Sequence, residues 1–111
     1  MGNKVLVLSS EGVGKGDEAL GKILMPSFLR VLGQSPDKPK TIICWNTGVR
    51  LMTEDSPSLA ELKWLEEEGV EILACRTCVD RLGLADKLAV GKVSAMEHFV
   101  DLLLHNDALC V

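Results

Sequence analysis

Two cysteines stand close together in the run Cys75-Arg76-Thr77-Cys78. A deprotonated thiol is both a strong nucleophile and a soft metal ligand, so a Cys-x-x-Cys pair supports several chemistries. A structural zinc site takes four ligands, usually two such pairs, and this chain has one pair with His98 and His105 far along the sequence. A dithiol redox pair of the thioredoxin type is better founded. Such chains, however, place the pair after their first strand and set a proline against it, and no proline follows Pro57 here. Free cysteines also pack well as small buried residues. The fourth chemistry is persulfide transfer, in which one cysteine accepts a sulfane sulfur and a second thiol nearby releases the product or forms a disulfide. A helix starting at this loop, with Arg76 and Arg81 turned inward, would favour the thiolate.

A second group of candidates is the glycine loop, Gly12-Val13-Gly14-Lys15-Gly16. It does not meet the P-loop pattern, because Gly16 follows Gly14-Lys15 where Ser or Thr is required and Ser9 stands where the first glycine belongs. Gly14 to Ala19 does satisfy the looser G-x-G-x-x-A form of the dinucleotide fingerprint. The acid that fingerprint requires at the end of the second strand is absent, since the strand ends in Cys44-Trp45-Asn46. The glycines therefore suit a tight strand-to-helix loop that needs positive φ. Loop amides and Lys15 beside a helix start would also suit a small anion. Asn46, Thr47 and Gly48 form a further turn at a strand end, suited to capping or ligand contact. Cys44 is either a third relay thiol or a buried strand residue, and the second role is the commoner one. Cys110 is expected in the core or at an interface, and His98 and His105 on a solvated helix face.

The elements that must position these residues follow from periodicity. Lys4–Ser9, Thr41–Trp45, Val70–Ala74, Leu88–Val93 and Ala108–Val111 are predicted strands, the first a run of four aliphatics. Asp17 is the predicted N-cap of a helix carrying Leu20, Ile23, Leu24, Phe28, Val31 and Leu32, with a kink at Pro26. Ser56-Pro57 predicts a second helix start, with Leu59, Leu62 and Leu65 as its apolar stripe and Gly69 as its stop. Val79–Lys87 is a short helix or irregular turn. Ser94-Ala95-Met96-Glu97 is a capping-box pattern opening a last helix. Alternating strands and helices predict an α/β protein, a single three-layer domain over residues 1–111 with a mainly parallel sheet and helices on both faces. Ligands and reactive groups in such sheets gather at the carboxyl ends of the strands, where residues 10–16, 44–50 and 75–83 fall.

Composition narrows the function classes. The chain has 111 residues, a net charge of −4 and 47% hydrophobic residues, enough for one core without disulfides or metal. The excess of acid and the presence of only four aromatics argue against nucleic acid as a partner. No apolar run approaches the ~20 residues of a membrane span. The N-terminal apolar run beginning at Val5 is too short for a signal peptide, so a cytoplasmic protein with reduced thiols is expected. No cofactor and no metal are expected. The acidic run Glu66-Glu67-Glu68 precedes a helix C-terminus, where the helix dipole disfavours it.

The segment Gly69–Gly83, containing Cys75-Arg76-Thr77-Cys78, resembles the cysteine segment of the DsrE/DsrF-like family, in which a strand runs into a C-x-T-C or single-Cys motif and a glycine follows eight residues after the first cysteine. Gly14–Met25, Asn46–Leu51 and Asp86–Val93 resemble the family as well, most of all the DsrE-like domain of the YedF proteins of selenium metabolism. The resemblance spans nearly the whole chain, although Arg76 stands where glycine is common. It implies a parallel α/β sheet, homo-oligomers or hetero-oligomers, and a sulfur-relay, sulfurtransferase-like role with a protein sulfur donor or acceptor. By position it implies Cys75 as the persulfide carrier and Cys78 as an auxiliary thiol. Gly14, Lys15, Gly16, Asn46, Thr47, Gly48 and Arg76 are the candidate binding residues. Two other functions stay open: a small-ligand or anion binding module without covalent chemistry, and a dithiol redox protein.

Overall fold

The computed structural model describes residues 3–111. Met1 and Gly2, which open the N-terminal segment weighed as a signal peptide and the domain assignment, lie outside the described residues. Five strands, β1 (Lys4–Leu8), β2 (Thr41–Cys44), β3 (Glu71–Cys75), β4 (Lys92–Ser94) and β5 (Asp107–Cys110), form one sheet in the order β4-β3-β2-β1-β5. Every neighbouring pair is parallel. The connections carry α1 (Glu18–Gln34), α2 (Leu59–Glu67), α3 (Arg76–Leu82) and α4 (Met96–His105), with a 3-10 helix at Asn46–Met52.

The strands are aliphatic on both sides because both faces of the sheet are covered. Their alternation sorts side chains into two clusters. Leu6, Leu8, Ile42, Cys44, Ile72 and Ala74 pack against Met25 and Leu29 of α1 and Leu62 and Leu65 of α2. Val5, Val7, Ile43, Leu73 and Cys75 pack against Phe99 and Leu102 of α4. Helices thus cover both faces, as the strand–helix alternation predicts.

Local signals explain most boundaries. The Asp17 carboxylate accepts the Leu20 amide at 3.0 Å and caps α1. Pro26 removes one amide donor, yet α1 continues through it, held by Met25 and Leu29 in the core. Several boundaries differ from the sequence expectation; α3 runs over Arg76–Leu82, starting directly after β3, rather than over Val79–Lys87. The Ser56 hydroxyl accepts the Ser58 amide at 3.0 Å in a turn, which delays α2 to Leu59. Ser94 pairs with Cys75 as part of β4, so the expected capping box does not form, and α4 starts after Ala95 without a side-chain cap. β4 begins at Lys92, while Leu88 makes only a single antiparallel bridge to Thr53. β5 lies one residue earlier than expected, with Asp107 opposite Lys4. The acidic run also acquires a role. Glu66 accepts the Gly91 amide at 2.9 Å, and Glu68 sits 4.0 Å from Lys38, so these carboxylates tie α2 to the segments beside it.

Candidate functional site

β2 and β3 are neighbours, so the loops leaving their carboxyl ends meet. Cys75 ends β3 and immediately precedes α3. Its side chain takes the α4 side of the sheet and is only 3% exposed. Cys78, one turn further on, is half-buried and touches both apolar clusters. Cys78 packs against the cluster that holds Cys75, so the two thiols are neighbours. From the β2 side, the Asn46 amide donates to Cys78 Sγ at 3.0 Å. Asn46 is the one non-glycine residue with positive φ among the described residues, at 52°, a conformation asparagine tolerates better than most. Its own side-chain oxygen accepts the Thr47 amide at 2.8 Å and so holds the turn. Gly48 completes the turn, since a Cβ there would collide with the Leu8 carbonyl oxygen.

The electrostatics differ from the expectation. Burial pushes the Cys78 thiol above its ordinary range, and neighbouring Cys75 pushes the same way. The Asn46 amide opposes them. Arg76 and Arg81 are exposed rather than turned inward, and no first-turn amide of α3 is bonded by the Cys75 side chain.

The other expected residues separate from the thiols. An open depression of about 990 Å³ at the ends of β1 and β5 is lined by Gly14, Lys15, Gly16, Thr47 and Cys110, among others, and by neither Cys75 nor Cys78. The 3-10 helix therefore serves two places, Asn46 at the thiols and Thr47 at the depression. Gly14 and Gly16 have φ of 80° and 116°, which supports their reading as loop-forming glycines. Cys44 lies fully buried on the opposite face from Cys75, where burial pushes its thiol up to about 12. That placement makes it a core residue and not a third relay thiol. Cys110 is exposed on β5 rather than in the core. All four cysteines are free thiols. Among the described residues, no group of three or more His, Cys, Asp and Glu residues is arranged to hold a metal ion.

Trp45 and Phe99 were not singled out as site residues. They pack edge to face, with ring centroids 6.2 Å apart, in the same cluster as Cys75. Strand alternation carried the signal for Trp45: it lies two residues beyond Ile43 and so shares the face of Cys75.

The fold is that of a small parallel α/β protein, and in this chain two neighbouring thiols lie at the carboxyl end of its third strand. The chain belongs to the DsrE/DsrF-like family, whose sequence profile matches residues 39–111. Solved structures agree over the whole fold. The ychN protein from E. coli superposes with a TM-score of 0.76 at 15% identity, covering 100% of both chains. A protein of unknown function from Methanobacterium thermoautotrophicum, MTH1491, gives 0.74 at 19% identity, again with 100% of both chains covered. A conserved protein of unknown function from Bacteroides thetaiotaomicron, BT1422, gives 0.68 at 19% identity over 98% of this chain and 95% of that one. No functionally curated protein matches the chain in sequence.

Proposed function

We propose that this protein is a sulfur-relay carrier, sulfurtransferase-like in its chemistry, that holds a sulfane sulfur as a persulfide on the Cys75/Cys78 pair, with Cys75 as the resting acceptor. The observation that carries this reading is a pair of neighbouring free thiols at the carboxyl end of β3, Cys75 buried and Cys78 partly exposed. A persulfide needs protection from bulk thiols once formed and access while forming, and such a pair supplies both. Selenium, bound in the same oxidation state, would fit the same site. Free thiols suit a reducing cytoplasm. The sulfur donor and acceptor are other proteins, and the chain itself is a homo-oligomer. Exposed Leu20, Ile23, Leu24 and Val31 on α1, and Met96, Val100 and Leu104 on α4, support such assembly. Among the described residues no helix is long and apolar enough to cross a membrane.

The test is incubation with a cysteine desulfurase and cysteine, followed by cyanolysis. Stoichiometric thiocyanate from the wild type, and none from a Cys75→Ser/Cys78→Ser double variant, is the expected result. Equal thiocyanate from both proteins would overturn the reading. The depression at Gly14–Gly16 supports a second reading, a small-ligand module. It is expected to show itself as a rise in Tm with an anion or nucleotide that Lys15→Ala abolishes.

A further inference from the structure

The two thiols are unequal, and their inequality assigns an order to the transfer. Cys75 is 3% exposed and lies in the cluster of Val5, Val7, Ile43, Leu73, Phe99 and Leu102. That burial leaves its sulfur closed to a bulky donor. Cys78 is the more exposed of the two: it is half-buried, packs against the cluster that holds Cys75, and receives the Asn46 amide on its sulfur. We propose that Cys78 is the receiving thiol and that Cys75 is loaded from it by an internal transfer. This rests on the sulfur-carrier reading above and gives it a direction.

The first step is attack of the Cys78 thiolate on the sulfane sulfur of a donor persulfide. A bond forms between Cys78 Sγ and that sulfur, and the donor leaves as its thiolate. In the second step the Cys75 thiolate attacks the outer sulfur of the Cys78 persulfide. The bond from Cys78 Sγ to that sulfur breaks as the bond to Cys75 Sγ forms. Cys78 departs as a thiolate and takes up the proton that Cys75 gave up. The transferred sulfur keeps its oxidation state throughout, so neither step needs a reductant or an oxidant. Asn46 acts on the second step. Its amide is already aimed at Cys78 Sγ, where negative charge collects as the bond breaks, and a hydrogen bond to a charged acceptor is stronger than one to a neutral acceptor. Asn46 is thus a positioning residue acting through its backbone. The outcome is a sulfur moved from the accessible thiol to the sheltered one.

Arg76 lies between the two cysteines, so trypsin places them in separate peptides. The full chain is mixed with cysteine persulfide, quenched with an alkylating agent at successive times, digested and mapped. The expected result is sulfur on the Cys78 peptide first, then on the Cys75 peptide. Cys75→Ser is expected to load within about twofold of the wild-type rate and keep the sulfur on Cys78, whereas Cys78→Ser loads at least about tenfold more slowly. Sulfur arriving first on Cys75, or Cys78→Ser loading Cys75 at the wild-type rate, would overturn the order while leaving the carrier reading intact. Absence of sulfur from both wild-type peptides would overturn both. Circular dichroism checks that each variant folds. A limiting dose of iodoacetamide on the wild type gives a readout that needs no variant: Cys78 is expected to be alkylated before Cys75, and the reverse order counts against the proposal.

Discussion

At the scale of single residues, four thiols of one chemical type have four environments, and burial separates them. Cys44 is the most extreme. In the unfolded chain it ionises near the ordinary ~8.5, and in the fold burial holds it protonated up to about 12. Its folded pKa is raised, so the stability it contributes is intact below about pH 8.5 and is lost as pH rises toward the folded value. The urea midpoint of the wild type is therefore expected to fall faster above pH ~8.5 than that of Cys44→Ala, with a limiting difference of ~1.4 kcal/mol per pH unit. Parallel pH profiles for the two proteins would contradict that account. Cys78 gives a second test. Burial first, and Cys75 second, raise its pKa against the Asn46 amide, so its alkylation rate is expected to keep climbing with pH beyond the ordinary thiol range near ~8.5. A plateau below that pH would show the amide to dominate. The placement of the Cys-x-x-Cys pair at the carboxyl end of a strand was legible from the aliphatic run before it. The pair's polarity was not. The inward turn of Cys75 and the exposure of Arg76 and Arg81 depend on how the loop leaves the sheet, which residue types do not specify.

At the scale of elements, the order of strands and helices was readable because the periodicities are strong and unbroken. Two of the boundaries that moved did so because an expected cap residue bonds elsewhere. Ser94 pairs in β4 instead of capping α4, and Ser56 closes a turn instead of starting α2. The turn after β2 also differs in detail from its sequence reading. Asn46-Thr47-Gly48 looked like a turn, and it is the first part of a 3-10 helix whose two opening residues face different places. Gly48 is what lets that helix lie against β1. Gly48→Ala is expected to destabilise the fold by about 1–3 kcal/mol, because its methyl group would displace the end of β1 or the turn. Chemical denaturation measures this, and an unchanged midpoint would contradict it. Asn46→Val places a β-branched residue at φ 52° and is expected to cost about 1–2 kcal/mol, with Asn46→Gly closer to neutral. Equal stability of the two variants would mean that the turn relaxes away from Cys78.

At the scale of the whole molecule, the sheet is covered on both faces, yet large apolar side chains remain outside. Ile23 is 70% exposed and Leu104 is 75% exposed, on helices that cover opposite faces. β5 is an edge strand whose four residues, Leu109 and Cys110 among them, are all exposed to some degree. Composition supplied enough apolar residues for a core, but it did not show where the uncovered surfaces lie, since that depends on which helix faces the core has already claimed. Light scattering of the wild type is expected to give at least twice the mass of the single chain, and Ile23→Asp or Leu104→Asp is expected to lower it. A monomeric wild type would contradict the assembly. The central claim is that the strand-end thiol pair carries sulfur, and the most direct measurement is the intact mass of the full chain after treatment with a cysteine desulfurase and cysteine. The account expects a gain of one sulfur atom, removed by dithiothreitol and absent in Cys75→Ser/Cys78→Ser. A wild type that gains no mass, or a double variant that gains the same mass, would contradict it.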